Sequence, residues 1–254
     1  MLGVIQARMN SKRLPGKAMM MIKGKPMIWH IINRIKNIEN ISDVIVSTSN
    51  TKEDQILCKY LKKNKIKYFS GSENNILERL YETAKKFGPD SIVKINGDSP
   101  LIDPFLINNG ITKFLSSKNK PDMVTNSIQD TFPMGLQYWI INYKTLEQLY
   151  QKISDKFWKE YFIMYILENK NKFSVIEMKN NKDYSHLRWT VDYEEDLKFV
   201  REIYENLYTN KEIFSMKNIL ELLERKENLS KINARYDPKS YLELYEKDKK
   251  QNLC

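Results

Sequence analysis

The chain has 254 residues, 41% of them hydrophobic, and two cysteines. That is enough for one large domain and too few thiols for a disulfide framework or a cysteine metal site. No apolar run approaches the ~20 residues of a membrane span, and there is no signal-peptide pattern, so a cytoplasmic protein without a membrane partner is expected. A net charge of +10 raises the question of nucleic acid. The lysines, however, are spread along the chain among Glu and Asp, the pattern of a solvated surface, and a nucleotide would use only a local part of that charge.

Val4–Ala7 is short, apolar and β-prone, and reads as a first, buried strand. The stretch after it has no periodicity and carries Arg8, Lys12, Arg13 and Lys17, with Asn10 and Ser11 at a turn and Pro15-Gly16 as a second turn signal. A basic loop at the carboxyl end of a first strand is where an α/β protein holds phosphate. The plainer alternative is a loop that solubilises the domain. Neither GxxxxGK[ST] nor GxGxxG is present.

From Met27 the apolar positions 27, 28, 31, 32, 35 and 38 follow a helical period. Val44–Thr48 reads as a second buried strand. Ile56, Leu57, Tyr60 and Leu61 mark a helix, and Lys67–Phe69 a short strand. Ile76, Leu77, Leu80, Tyr81, Ala84 and Phe87 form another helical stripe, stopped by Gly88-Pro89. Ser91–Asn96 is again a buried strand. This alternation predicts a mainly parallel sheet covered by helices on both faces.

That last strand ends in Gly97-Asp98. A carboxylate there faces the same crevice as the basic loop and suits magnesium, which takes one or two carboxylates plus phosphate oxygens. A simple turn role for Asp98 stays open on this stretch alone. Asp103, before Pro104, reads as a helix cap. Ser70-Gly71-Ser72 follows the Tyr68-Phe69 strand, either as an ordinary turn or as a ligand loop. Further on, Met123–Asn126, Gln137–Asn142, Phe173–Met178 and Arg188–Val191 read as strands. Tyr143–Ile153, Phe157–Glu168 and Glu194–Tyr208 read as helices. The acids at 194–196 complement the helix dipole, and Asp192 is placed to cap that helix. His30 reads as structural, and nothing near His186 completes a catalytic arrangement. The segment 233–254 is charged and is expected to be a helix that frays.

Three stretches carry a resemblance: Ile5-Gln6-Ala7-Arg8 through Ser11 and Arg13-Leu14-Pro15-Gly16-Lys17; Ile95-Asn96-Gly97-Asp98-Ser99-Pro100-Leu101-Ile102-Asp103; and Leu187-Arg188-Trp189-Thr190-Val191-Asp192-Tyr193-Glu194-Glu195-Asp196-Leu197. Together, and in this order, they resemble the cytidylyltransferases that activate sugar acids, the acylneuraminate and CMP-Kdo synthetase family, in particular its branch of SpsF-type spore-coat polysaccharide proteins. The resemblance implies an α/β, Rossmann-like (GT-A-like) nucleotidyltransferase domain over 1–232, with an acceptor and dimerisation segment at about 127–180. It implies transfer of CMP from CTP to a sugar acid or related acceptor, with Mg2+ as cofactor and a homodimer as the assembly. Arg8, Arg13 and Lys17 would hold the triphosphate. Gln6, Ala7, Ser11, Ser70, Gly71, Ser72, Asn96 and Gly97 would contact the nucleotide, and Asp98 and Asp192 the metal. Near Phe132-Pro133-Met134-Gly135-Leu136 the chain departs from the branch, which often shows Arg, Asp and Glu where Met134, Gln137 and Trp139 stand here. A glycosyltransferase using a nucleotide-sugar is the main rival, although the Asp-x-Asp of such enzymes is absent; a non-catalytic nucleotide-binding protein is the other.

Overall fold

The computed structural model describes residues 1–209 and 212–253; Cys254 lies outside them. In chain order the elements are β1 (Leu2–Gln6), a 3-10 turn (Lys17–Met19), β2 (Met21–Ile22), β3 (Lys25–Pro26), α1 (Met27–Lys36), β4 (Asp43–Ser49), α2 (Gln55–Lys63), β5 (Tyr68–Gly71), α3 (Ile76–Phe87) and β6 (Ser91–Asn96). There follow α4 (Pro104–Ser116), β7 (Met123–Thr125), β8 (Tyr138–Asn142), α5 (Tyr143–Lys152), α6 (Lys156–Glu160), α7 (Phe162–Glu168), β9 (Val175–Glu177), α8 (Glu194–Leu207), α9 (Met216–Arg225) and α10 (Ser240–Leu253). Seven strands form one sheet in the order β5-β4-β1-β6-β8-β7-β9. β5, β4, β1 and β6 are mutually parallel, and β8 runs against both of its neighbours. The mainly parallel α/β sheet read from the alternation is therefore present.

The strands are apolar on both faces because helices cover both. Ile5, Val46, Val93 and Ile140 pack with α1, α2 and α4. Their neighbours in sequence, Val4, Ile45, Ile92 and Ile141, pack with α3, α5 and α7. A third cluster joins Leu14, Met27, Leu101, Trp189 and Val191 to α8 and α9. The chain winds outward from β1 through β4 to β5, then returns to place β6 on the other side of β1. The reversal opens a crevice at the carboxyl ends of β1 and β6, the switch point where ligands of such sheets bind.

Three expectations change. Arg188–Val191 is not a sheet strand: it makes only a bridge from Arg188 to Met134, because Trp189 N donates to Met134 O and Val191 N to Asp98 O. These bonds tie it to loops rather than to a strand. The helix expected over Phe157–Glu168 breaks at Tyr161 (φ −99°, ψ 33°), whose ring packs against Tyr245 and whose hydroxyl donates to Asp248. The charged C-terminal segment forms the expected helix, α10, but that helix is docked rather than frayed, with Tyr245 buried and Lys249 paired to Glu168 at 2.6 Å. Periodicity along one helix carries no trace of a partner helix 81 to 87 positions away.

Candidate active site

The basic loop after β1 is a closed structure. Gly16 N donates to Met9 O at 2.8 Å, and Gly16 has φ +75°, a conformation that a Cβ disfavours. Buried Asp54 anchors the loop from outside: Oδ1 accepts from Met9 N at 2.5 Å, and Oδ2 from Ser49 N at 3.0 Å. On the far wall, Gly97 N donates to Gln6 O at 2.8 Å, and a Cβ on Gly97 would sit 2.5 Å from that of Ala7. Glycine is what allows the ends of β1 and β6 to meet. Between the walls lies a cavity of about 320 Å³, lined by Gln6, Ala7, Arg8, Ser11, Lys12, Arg13, Lys17, Arg79, Asn96, Gly97, Asp98 and Asp192. Five cationic side chains and two carboxylates face it, an excess of three positive charges that suits a polyanion.

One side of the cavity is a buried ion network. Lys17 Nζ donates to Val191 O at 2.7 Å, Asp192 Oδ1 at 2.9 Å and Asp98 Oδ2 at 3.2 Å. Asp192 Oδ2 accepts from Arg13 at 2.7 Å and from Arg188 at 2.9 Å. Arg188 also pairs with Asp196 at 3.0 Å, and Asp196 receives the backbone N–H groups of Asp192 and Tyr193 and an amide N–H of Asn233. Burial works against each charge, but the pairing outweighs it. Lys17, Arg13 and Arg188 stay above their ordinary pKa values and Asp192 stays below the usual carboxylate range.

The other side is a polar seam with no carboxylate in it. Gln6 and Asn96 are register partners on β1 and β6. Lys94, two residues before Asn96, donates to its Oδ1 at 2.8 Å and lies 4.0 Å from the centroid of the Trp139 ring. From α3, Arg79 donates to the carbonyls of Ser72 and Glu73. Gln6 Oε1 and Arg79 Nε are buried and find no hydrogen-bond partner among the described residues. Burial, helped by Arg8, lowers Arg79 to about 10; burial, helped by Arg79 and opposed by Asp98, lowers Lys94 to about 7.

A cytidylyltransferase family profile matches residues 2–247. The chain belongs to the cytidylyltransferase family. The spore coat polysaccharide biosynthesis protein SpsF of Bacillus subtilis is 24% identical over 230 residues, 87% of this chain and 93% of SpsF. The 3-deoxy-manno-octulosonate cytidylyltransferase of Geobacter sulfurreducens is 34% identical over 108 residues, 42% of each chain. Among solved structures, a cytidylyltransferase from Leptospira borgpetersenii superposes with a TM-score of 0.85 at 29% identity, covering 90% of this chain and 95% of that one. The nucleotidyltransferase fold of these relatives is thus the fold seen here, and the three stretches quoted from the sequence supply all of the cavity lining except Lys12 and Arg79.

Most of the residues singled out from the sequence converge. Gln6, Ala7, Arg8, Ser11, Arg13, Lys17, Asn96, Gly97, Asp98 and Asp192 all line the cavity. Ser70, Gly71 and Ser72 do not. Ser70 and Gly71 belong to β5, which β4 separates from β1, and Ser72 reaches the cavity only through its carbonyl on Arg79. Asp192 does not cap α8; Tyr193 stands at the cap position and Asp196 takes its backbone N–H. Asp103 does cap α4, accepting from Phe105 N at 2.8 Å. His30 is structural, donating to Ile22 O at 2.7 Å. Met134, Gln137 and Trp139 are used internally: Met134 Sδ meets Arg188, Gln137 accepts from Gly135 N, and Trp139 donates to Ser127. Sequence reasoning passed over Arg79, Lys94, Asp54 and Asn233; it quoted Arg188 only within a resembling stretch and read Asp196 only as an acid complementing the dipole of α8. Arg79 and Lys94 left a signal, a lone cation inside an otherwise apolar helix stripe and inside an otherwise apolar strand.

Proposed function

We propose that this cytidylyltransferase transfers CMP from CTP to a sugar acid or related acceptor and releases pyrophosphate, in the synthesis of a surface polysaccharide. The observation that carries the reading is the cavity with its two unlike sides, lined by the loop and the Gly97-Asp98 end that the family shares. Arg8, Lys12, Arg13 and Lys17 bind the triphosphate. Arg13 and Lys17 stabilise charge as it builds on the α- and β-phosphates. Gln6, Asn96 and Arg79 contact the nucleoside on the polar side. The acceptor's hydroxyl oxygen attacks the α-phosphorus and releases its proton to solvent, the bond from that phosphorus to the bridging oxygen breaks, and the electron pair leaves with pyrophosphate. No side chain is named as general base, since transfer at phosphorus can run on positioning and electrostatics.

The residues present fit a magnesium ion. Asp98 and Asp192 already converge on one cation, the Lys17 ammonium, which stands in for it. Among the described residues no three His, Cys, Asp or Glu side chains are placed to hold one metal ion, so a dication held by Asp98 and Asp192 would take its remaining ligands from phosphate oxygens and water. Bound magnesium would neutralise charge on the transferring and leaving phosphates. Among the described residues no helix is long and apolar enough to cross a membrane. The reading takes the protein as a cytoplasmic homodimer that binds neither nucleic acid nor membrane.

Pyrophosphate release with ATP, GTP, UTP and CTP against a panel of sugar acids tests the reading. Release with CTP and one acceptor class is expected. Transfer of a sugar from a nucleotide-sugar, with no pyrophosphate from any triphosphate, would replace it with the glycosyltransferase. Thermal shift gives a second measure: CTP at a hundredfold excess over Kd stabilises by about 2.7 kcal/mol, and equal shifts with all four nucleotides would remove base selectivity.

A further inference from the structure

Lys17 stands in a peculiar place for a phosphate-binding lysine. Its side chain is 11% exposed, and its three N–H donors face three oxygens: Asp98 Oδ2, Asp192 Oδ1 and the Val191 carbonyl. In this arrangement no donor is left for a phosphate. Two carboxylates and a carbonyl are also the donor set that a hard dication takes. Lys17, Arg13 and Arg188 here face Asp98, Asp192 and Asp196, three cations against three carboxylates. A dication entering this balanced set would add its charge beside three cations. With Lys17 gone, one negative charge is left over and the oxygens point at a vacated position.

We propose that Lys17 is a built-in placeholder cation, which keeps divalent metal out of the Asp98–Asp192 pair until a bound triphosphate draws its ammonium away. The inference rests on the triphosphate reading of the cavity and adds an order to it: the metal site of this chain comes into being with the nucleotide. Lys17 leaves the carboxylates for the phosphates, and the pair it vacates accepts the dication. Nucleotide and metal therefore strengthen each other's binding by one common factor, and such couplings run at roughly 5–150-fold. Arg13 and Arg188 keep their hold on Asp192 Oδ2 throughout, so Oδ1 remains aimed at the cation position.

Mn2+ without any nucleotide is the probe, followed by the loss of the free-ion electron paramagnetic resonance signal and by thermal shift. The chains compared are wild type, Lys17→Met, Lys17→Gln and the double variant Lys17→Met/Asp98→Asn. Wild type should take up no stoichiometric Mn2+ and show no shift. Both single variants should gain one site, at least about tenfold tighter than any binding to wild type, within the coupling range above. The metal should raise their melting temperature, and the double variant should lose the gain. Lys17→Gln keeps a hydrogen-bond donor between the carboxylates in case Lys17→Met does not fold, and a variant that folds only with Mn2+ also supports the proposal. Stoichiometric Mn2+ on nucleotide-free wild type overturns it, as does the absence of a new site in Lys17→Gln. Since no nucleotide is present, these outcomes are independent of which triphosphate the enzyme prefers.

Discussion

Two buried lysines flank the same cavity and have opposite electrostatic fates. Lys17 lies between two carboxylates and is held above the ordinary lysine pKa, whereas Lys94 meets only an amide oxygen and the face of Trp139 and is pushed down to about 7. Arg79, on the Lys94 side, is lowered as well. The paired side is complete in itself: charges balance and hydrogen bonds close. The unpaired side carries buried cations and an orphaned amide oxygen, groups left unsatisfied that a ligand can satisfy. The first arrangement supports the fold and yields its cations only to a polyanion, whereas the second has groups unsatisfied as it stands.

Arg188 gives the sharpest way to break that contrast. It joins Asp192 to Asp196 with its side chain only 3% exposed. Arg188→Met leaves buried Asp196 without its cationic partner, while Asp192 keeps Arg13 and Lys17, and should destabilise the protein by about 3–5 kcal/mol in urea unfolding. A loss below about 1 kcal/mol would mean that the paired side does not hold the fold. The same substitution on the other side should act differently. Arg79→Met should leave folding intact and weaken CTP by about 1.5–3 kcal/mol, roughly 10–100-fold in Kd, measured by calorimetry. Unchanged affinity would make Arg79 a structural support for the Ser72 and Glu73 carbonyls and nothing more.

Lys94→Met should do the reverse of Arg188→Met and stabilise the chain at pH 7, by about 1–3 kcal/mol, because a buried charge with no carboxylate partner is removed. The sign with pH follows from linkage. The folded pKa of about 7 lies below the ~10.4 of an unfolded lysine. Between those values the unfolded chain holds more protons, so wild-type stability rises with pH across that window. The variant lacks this slope, and the two curves should meet above about pH 10; parallel curves would show that Lys94 does not titrate there. Asn142→Ala is the smallest change and belongs to neither side. It removes the cap that accepts from Lys144 N at 3.0 Å and should lower stability by about 1 kcal/mol with CTP binding untouched.

The amino-acid sequence by itself determined the alternation of strands and helices through α5, the basic loop, and the glycine before Asp98. Each is local: side-chain period follows from backbone geometry, and turn residues are read where they stand. Several stretches were legible only in part. Arg188–Val191 has the apolar, β-branched look of a strand, yet its backbone N–H groups go to Met134 and Asp98, loop residues that sequence does not show to be adjacent. Ser70-Gly71-Ser72 was placed at the correct end of its strand, but strand order put β4 between it and the cavity.

What only the tertiary structure decided is which charges meet. The resemblance implies that Asp98 and Asp192, each at the end of a stretch that reads as a strand, hold one metal. They do converge, but by a different route, with Asp98 O receiving Val191 N, and the cation between them is Lys17 from the first loop. Asn233, in the segment read as a tail, completes the same network by donating to Asp196 and to the Arg188 carbonyl. The physical reason is range. A periodic pattern records which face of an element is buried, because burial acts on every residue along it. A pairing between residues 81 or 175 positions apart depends on how whole elements dock, and leaves no periodic mark in either segment.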